Sequence, residues 1–266
     1  MIDTTNTILL SILLGAILGA FAARALAARR QARWKGATGV ICAMDEEIER
    51  FRSDMRVQET RVVSGVEYRC GTLLGKRIVV VRCGMGKVNA AVSAQTLCRE
   101  FHVKRLINVG VAGGADPTLR AGDIVVSEDA VQHDYHTIGC EPGRVLYQNT
   151  AFFPADDPLR EIALSACGDA SAEGLRVVSG RVATGDIFVD SEEMRNAIRT
   201  MFGAAVVEME GAAMAQTAAD NRVPWLILRA VADDANSESP KTMQQNLDAA
   251  TENLYRLVRY MLPKLD

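Results

Sequence analysis

Acidic side chains directly follow apolar runs at two places in the sequence, in the segments Asp45–Glu47 and Glu208–Glu210. Two acids at the start of a helix interact favourably with its positive N-terminus, but a third adds repulsion, so one carboxylate of the first segment could point into a pocket. The second segment lies between an apolar strand and an apolar helix, where a carboxylate needs a partner. The two hydroxyls of a ribose would be such a partner.

The last apolar run ends with a cation and two acids, between Leu228 and Asp234. Arg229 lies within the run and could hold a neighbouring carboxylate, whereas Asp233 lies at its tip. A purely structural Arg–Asp pair is the alternative interpretation. Because ligands of open α/β sheets bind at the carboxyl ends of the strands, we expect Asp233 to face the ligand crevice.

Two glycine-rich segments also follow apolar runs, Cys83–Lys87 and Asn108–Gly114. The first matches half of a dinucleotide fingerprint, but Asn89 replaces the third glycine and no acid follows about 20 residues on, which argues against a Rossmann cofactor site. Both segments suit close approach to a ligand, a tight turn or close helix packing. His133–His136 is predicted to be a polar loop, because the sequence has three histidines and lacks a metal-binding framework of His or Cys.

The elements that must position these residues alternate between short apolar runs and amphipathic stretches after Gly36. This alternation predicts an α/β fold in three layers, with a mostly parallel, mixed central sheet covered by helices on both faces and one domain at 36–266. An antiparallel pair of strands is predicted to turn at Ser64-Gly65. The predicted strands are Thr38–Cys42, Val57–Val63, Tyr68–Leu74, Arg77–Cys83, Arg105–Val109, Asp123–Ser127, Ala205–Val207 and Trp225–Val231. The predicted helices are Lys87–Phe101, Leu159–Ala170, Ser191–Phe202, Gly211–Asn221 and Met243–Leu262.

Composition excludes several classes of function. The 266 residues are 48% hydrophobic and 24% charged, which is ordinary for a globular protein. A net charge of −3 and an aromatic content of 5% disfavour nucleic-acid binding. The six cysteines are scattered, without a Cys-x-x-Cys pair, and are expected to be reduced thiols in a cytoplasmic compartment, although their even number permits disulfides.

The charge is unevenly distributed along the chain. Residues 1–35 carry five bases and one acid, a net of +4, so the remaining residues carry −7. Residues 8–23 are uncharged, and 8–28 reaches about 20 residues, the length of a bilayer core, if Arg24 snorkels to the interface. We therefore predict an N-terminal hydrophobic helix that tethers a cytoplasmic domain to the membrane, since the basic flank favours the cytoplasmic side. A cleaved signal peptide ending near Ala27 and a buried helix are the alternatives. Gly15 and Gly19 have the spacing that lets two membrane helices pack as a dimer.

Taken together, the ordered segments resemble the 5′-methylthioadenosine/S-adenosylhomocysteine nucleosidases of the nucleoside phosphorylase superfamily. The resemblance implies a phosphorylase-like fold and hydrolysis of the N-glycosidic bond of an adenine thionucleoside to adenine and a thioribose, without metal or organic cofactor. A homodimer is expected. The matching segments, which run in the family's order over residues 38–262, are AMDEEI, CGMGKVNAA, NVGVAGG, AGDIVVS, TGDIFV, VEMEGAA and RAVADDA.

By the same resemblance, three residues are assigned to catalysis. Glu47 matches the base that activates water, Arg229 the residue that helps to position base and water, and Asp233 the acid that protonates adenine N7. This division of labour needs Glu47 ionised and Asp233 protonated, and partial burial favours the protonated form of a carboxyl group.

The resemblance also implies how the nucleoside is held. Glu210, with Met209, matches a clamp on the ribose hydroxyls. Phe188 matches a residue that stacks on the base, and the backbone at Val189 reads the edge of the base. The full set of predicted substrate-binding residues is Val111, Ala112, Gly113, Phe188, Val189, Glu208, Met209 and Glu210.

Two residues depart from the family pattern, because Val111 and Ala232 stand where the family usually has serine. Their loss of hydroxyls could slow turnover or shift the substrate preference, and the unusual loop Val131–Ala155 leaves the 5′-substituent open. A phosphorylase that uses phosphate is the alternative enzyme, although the three acids of Asp45–Glu47 would repel phosphate. A membrane-tethered nucleoside-binding protein without catalysis is a second alternative, although binding alone needs neither an acid nor a base.

Overall fold

Ten strands form one mixed sheet in the computed structural model, which describes residues 13–21, 33–167, 169, 172, 174–236 and 238–266. Five of the strand pairings are parallel and five are antiparallel, so the sheet is less parallel than the sequence predicts. The strands are β1 (Thr38–Cys42), β2 (Arg56–Val63), β3 (Val66–Leu73), β4 (Lys76–Arg82), β5 (Arg105–Gly114), β6 (Ile124–Gln132), β7 (Phe153–Pro154), β8 (Val177–Thr184), β9 (Ala204–Glu208) and β10 (Trp225–Asp233).

Strand β10 pairs with β5 on one side and with β6 on the other, which closes five strands into a ring. The ring runs β5, β10, β6, β8 and β9, and β9 returns to β5. Strands β1, β4, β3 and β2 extend the sheet outward from β5. Every residue of β10 is buried, including Arg229 and Asp233. Because β1, β5 and β10 are parallel, their carboxyl ends meet at one edge of the sheet.

In the part of the chain from residue 33 onward that the structure describes, six α-helices pack around this sheet. Helix α2 packs against α5, and α6 packs against α1, α3 and strand β10. The main hydrophobic core extends along the chain from Trp34 to Leu265. All six cysteines are free thiols, and four of them are buried, as predicted for small hydrophobic side chains. The helices are α1 (Asp45–Asp54), α2 (Lys87–Glu100), α3 (Asp157–Leu164), α4 (Glu192–Phe202), α5 (Gly211–Asn221) and α6 (Ser239–Met261).

Most predicted elements occur where the sequence places them, and the β2–β3 hairpin turns at Ser64 and Gly65, both with positive φ. Three elements escape the sequence pattern. Helix α1 is dominated by charged residues, and β7 has two residues. Strand β8 is continuous, but its apolar sequence pattern is interrupted by Ser179-Gly180, which is typical of a turn. The helix predicted over Leu159–Ala170 ends at Leu164, and residue 170 lies outside the described residues.

The predicted N-terminal anchor falls mostly outside the described residues, as does the alternative cleavage site near Ala27. Within the anchor, residues 13–21 are helical and exposed. The part of the chain that the structure describes contains no helix long and apolar enough to cross a membrane. Trp34, which the predicted boundary at residue 35 assigns to the basic flank, is buried in the core and donates from Nε1 to Glu59.

Candidate active site

A cleft with about 580 Å³ of open space lies at the carboxyl ends of β1, β5, β9 and β10. This position is typical of small-molecule sites in α/β proteins. Arg229 lies behind the wall of the cleft, in the interior of β10. The other ten predicted site residues line the cleft: Glu47, Val111, Ala112, Gly113, Phe188, Val189, Glu208, Met209, Glu210 and Asp233.

The three acids at the start of α1 have different surroundings. Asp45 is exposed and forms ion pairs with Arg52 (2.8 Å) and Arg82 (3.2 Å). Glu46 is exposed, whereas Glu47 is buried and faces the cleft. The first two acids therefore sit at the helix N-terminus in contact with solvent, and the third is the carboxylate that enters the pocket.

Three backbone amides hold the Glu47 carboxylate. Its Oε2 accepts the amides of Ala43 (2.7 Å) and Met44 (2.9 Å), and its Oε1 accepts the amide of Val111 (3.0 Å). The bond from Met44 closes the first turn of α1, as the glutamate of a capping box does. Burial raises the pKa of Glu47, while Arg229 and the three amides oppose that rise. The carboxylate is thus fixed in position on the β1 and β5 sides of the cleft.

The Arg229 guanidinium is paired with acids on β9 and after it. Its Nε donates to Glu208 (3.0 Å), its Nη2 donates to Asn108 (2.6 Å), and a longer contact of 3.5 Å joins Nη2 to Glu210. Burial alone would lower the pKa of Arg229. The negative charges of Glu208, Glu210 and Glu47 outweigh this effect, so the pKa lies above its usual value. Within the described part of the chain, no ion pair joins Arg229 directly to Glu47. Arg229 therefore acts on Glu47 through its nearby charge.

Gly110 on β5 lies next to both the Arg229 guanidinium and the Glu47 carboxylate. A Cβ at this position would collide with the Arg229 guanidinium and with Oε1 of Glu47. A residue without a side chain is needed here because both groups are buried and held in place by hydrogen bonds. The glycines of the Asn108–Gly114 segment thus include one whose role is close packing of catalytic candidates.

The Glu208 carboxylate is saturated by groups of the protein. It accepts hydrogen bonds from the Thr184 hydroxyl, from the amides of Glu210 (3.1 Å) and Gly211 (2.8 and 3.0 Å), and from Arg229. These bonds begin helix α5 and neutralise Arg229. Glu208 lines the cleft, but its hydrogen bonds indicate that it positions Arg229 rather than that it binds a ligand.

Glu210 has greater capacity for a ligand. One carboxylate oxygen accepts the amide of Gly86 (2.8 Å) and the other makes the 3.5 Å contact with Arg229. Burial and the neighbouring Glu208 raise the pKa of Glu210 to about 7, against the opposing effects of Arg229 and the Gly86 amide. The second oxygen can still accept hydrogen bonds from hydroxyl groups in the cleft.

Asp233 ends β10 and lines the cleft. Its Oδ1 accepts the amide of Ala235 (2.7 Å), and the buried Ser239 at the start of α6 also forms a hydrogen bond with its side chain. Burial raises the pKa of Asp233, while these two hydrogen bonds oppose the rise. The residue before it, Ala232, is completely buried. Asp233 and Glu47 are therefore two buried carboxyl groups on different walls of one cleft.

Several residues that line the cleft or support its charged groups are missed by the sequence analysis. Thr184 is the last residue of β8. A prediction of β8 would have placed Thr184 at the end of a strand and so made it a candidate site residue. Asn108 lies within a predicted strand, but nothing in the sequence shows that it binds Arg229. Apolar side chains carry no chemical signature in the sequence, and those missed in the cleft walls are Ala43, Met44, Met85, Ile187, Val207 and Met243.

Comparison with known proteins gives consistent matches. Residues 37–263 match the family described as the phosphorylase superfamily. The 5′-methylthioadenosine/S-adenosylhomocysteine nucleosidase of Geobacillus kaustophilus is 38% identical over 84% of this chain and 95% of its own length. The crystal structure of the Neisseria meningitidis nucleosidase with methylthio-immucillin-A is 36% identical, covers 86% of this chain and 99% of its own, and has a TM-score of 0.82. The Colwellia psychrerythraea nucleosidase in complex with adenine is 35% identical, covers 87% and 96%, and has the same TM-score of 0.82.

Proposed function

Because the chain belongs to the phosphorylase superfamily and, within it, to the 5′-methylthioadenosine/S-adenosylhomocysteine nucleosidases, we propose that Glu47 and Asp233 divide its hydrolytic reaction between them. The protein is an N-glycosyl hydrolase that releases adenine from adenine nucleosides. The observation that carries the division of roles is the pair of buried carboxyl groups on separate walls of one cleft.

Asp233 is the general acid in this proposal. Adenine leaves poorly as an anion, so protonation of N7 lowers the barrier before the C1′–N9 bond breaks. Burial raises the pKa of Asp233 and so favours the protonated form that can donate. The Ala235 amide and Ser239 hold the carboxyl group in place at the end of β10.

Glu47 is the general base. It accepts a proton from water as the water attacks C1′ of the oxocarbenium-like sugar, and its negative charge stabilises the developing positive charge. The three backbone amides and the charge of Arg229 favour the ionised form that burial opposes. Val111 contributes its amide to Glu47, whereas its side chain cannot bind water as the serine usual in the family does.

Glu210 is the ribose clamp, since its free hydrogen-bonding capacity faces the cleft. Phe188 and Val189 are the purine-binding residues, because they follow β8 and line the same cleft. Val111, Ala112, Gly113 and Met209 complete the substrate-binding walls. The saturated Glu208 serves by holding Arg229 in place.

We expect the purified protein to release adenine without phosphate. The acids of Asp45–Glu47 disfavour a phosphate anion at the end of β1, so water is the nucleophile. The measurement is adenine release from methylthioadenosine, S-adenosylhomocysteine and 5′-deoxyadenosine, with and without phosphate. A strict requirement for phosphate would indicate a phosphorylase, and binding of these nucleosides without adenine release would indicate a nucleoside-binding protein.

We also propose that residues 8–28 tether the enzyme to the cytoplasmic side of a membrane. The support comes from the uncharged run and its basic flank, and from the exposure of apolar side chains such as Leu14 and Leu18 on the helical residues 13–21. The full chain should sediment with membranes after a high-salt wash and be released by detergent. Substitution of both Leu14 and Leu18 by Arg should move it to the supernatant. A wild-type chain found in the supernatant without detergent would refute the tether.

The homodimer is proposed on the apolar surface around the mouth of the cleft. Met85, Val88, Ile187 and Phe188 are all exposed there, and adjacent exposed apolar side chains are typical of protein interfaces. Light scattering of the chain from residue 33 onward should give twice the monomer mass. Val88→Asp should shift the protein toward the monomer, and a monomeric wild-type protein at micromolar concentration would contradict the proposal.

A further inference from the structure

A partly buried ion pair lies at the edge of the cleft, between the start of α2 and the end of β6. Lys87 Nζ lies 2.7 Å from Asp134 Oδ1, and the two side chains are each 18% exposed. The ammonium group also donates to the side-chain oxygen of Gln132 (3.2 Å). The side-chain NH₂ group of Gln132 in turn donates to the side-chain oxygen of Gln216 on α5 (2.6 Å). The pair is therefore built into three elements, unlike a surface pair with two mobile side chains.

Backbone hydrogen bonds extend this pair to the segment after β8. The second oxygen of Asp134 accepts the amide of Asp186 (2.9 Å). Asp186 in turn accepts the amide of Lys87 through Oδ1 (2.7 Å). The three residues thus form a closed loop of hydrogen bonds, in which each is bonded to the other two.

The loop supports two different parts of the cleft. Gly86, the residue before Lys87, donates its amide to Glu210 (2.8 Å), the proposed ribose clamp. Phe188, the proposed purine-stacking residue, lies two residues after Asp186. A displacement of Asp134 would therefore be transmitted to the ribose side and to the purine side of the site.

We propose that Lys87 and Asp134 are positioning residues, which hold the ribose clamp and the purine-binding segment at a fixed distance from each other. This inference rests on the proposed function of Glu210 and Phe188. Neither residue contacts the substrate; they act through the amides of Gly86 and Asp186. Removal of the pair should weaken binding of the purine and of the nucleoside, because both walls lose their common support.

The test uses Lys87→Met and Asp134→Asn, which keep the approximate size of each side chain. Loss of a hydrogen bond to a charged group corresponds to about tenfold in binding, so we expect the KM for methylthioadenosine and the dissociation constant of adenine to rise by about that factor. We expect kcat to change less than KM, because Glu47 and Asp233 are held by other groups. The double variant should bind adenine no more weakly than either single variant, because the two substitutions remove the same ion pair. Lys87→Arg should retain most of the adenine affinity.

The matched control is Asp129→Asn. Asp129 lies on β6 and pairs with Arg181 (2.6 Å), with side-chain exposures of 17% and 27%. It therefore resembles Asp134 in burial and lies on the strand that precedes Asp134, but it is absent from the cleft lining. This control should lose thermal stability without a change in adenine affinity. If folded Lys87→Met and Asp134→Asn bound adenine as tightly as the wild type, the proposal would be overturned.

Direct calorimetric titration with adenine makes the test independent of turnover. A wild-type protein that binds adenine but releases none from nucleosides would contradict the proposed function, and the variants would still reveal whether the ion pair positions the purine-binding segment. A thermal shift equal to that of the control, with unchanged adenine affinity, would show that the pair only stabilises the fold.

Discussion

Replacing Asp233 by Asn is expected to lower kcat for adenine release by about three orders of magnitude, in the middle of the range for loss of a general acid. The amide cannot deliver a proton to N7, so adenine would have to leave as an anion. Asn can still accept the Ala235 amide through its side-chain oxygen, so the local backbone should be preserved. The measurement is steady-state adenine release at saturating methylthioadenosine.

The pH profile separates a lost proton donor from a distorted site. Burial raises the pKa of Asp233, so the wild-type rate should fall as the pH rises through that raised pKa and the carboxyl group loses its proton. Asp233→Asn should remove this alkaline limb. Retention of the limb in the variant would assign it to another group and would withdraw the role of Asp233.

Asp234→Asn is the matched control for this variant. Asp234 is the neighbouring acid, and its side chain is exposed, whereas its backbone carbonyl accepts a bond from Arg195 (2.8 Å). The substitution leaves that bond in place and should leave kcat within about twofold of the wild type, as expected for surface changes. An equal loss of rate in both variants would point to a general effect of charge at the cleft mouth.

The fold was predictable where apolar runs are continuous. Strand β1 and the first four residues of β10 are mainly apolar, and their burial on both faces follows from that pattern. The ring was not predictable, because closure depends on β10 pairing with both β5 and β6, and strand order is not written in local periodicity. Strand β8 was not predicted, because Ser179-Gly180 is typical of a turn. Its extended conformation depends on pairing with β6 and β9, which the local sequence does not reveal.

The site was predictable where a charged residue follows an apolar strand. Glu47, Glu210 and Asp233 meet in the cleft because the carboxyl ends of their strands meet there. Their division of labour was not predictable from residue type. Glu208 and Glu210 are two residues apart with the same side chain, yet one is saturated by protein groups and the other has capacity for a ligand. That difference arises from tertiary contacts with Thr184 and Gly86.

The Glu47→Gln variant is expected to lower kcat by about two to three orders of magnitude, through loss of the base that activates water. Gln also cannot satisfy the three amides that Glu47 binds. Its oxygen can accept on one side only, so its NH₂ group would face the amide of Val111 or those of Ala43 and Met44. At least one buried amide loses its acceptor, which should cost about 1–3 kcal/mol of unfolding free energy.

Because of this structural cost, activity alone does not define the role of Glu47, and the decisive measurements are adenine affinity and the acid limb of the pH profile. Adenine should bind Glu47→Gln with near wild-type affinity if Glu47 acts only on water and sugar.

Burial raises the pKa of Glu47, so the wild-type rate should fall as the pH drops through that raised pKa and the carboxylate becomes protonated. Glu47→Gln should remove this acid limb and Asp233→Asn the alkaline one, whereas Glu46→Gln, at the exposed neighbouring acid, should keep both limbs. An acid limb that persisted in folded Glu47→Gln would transfer the role of base to Glu210, whose pKa is raised to about 7 and which would then have to lose its proton for the reaction.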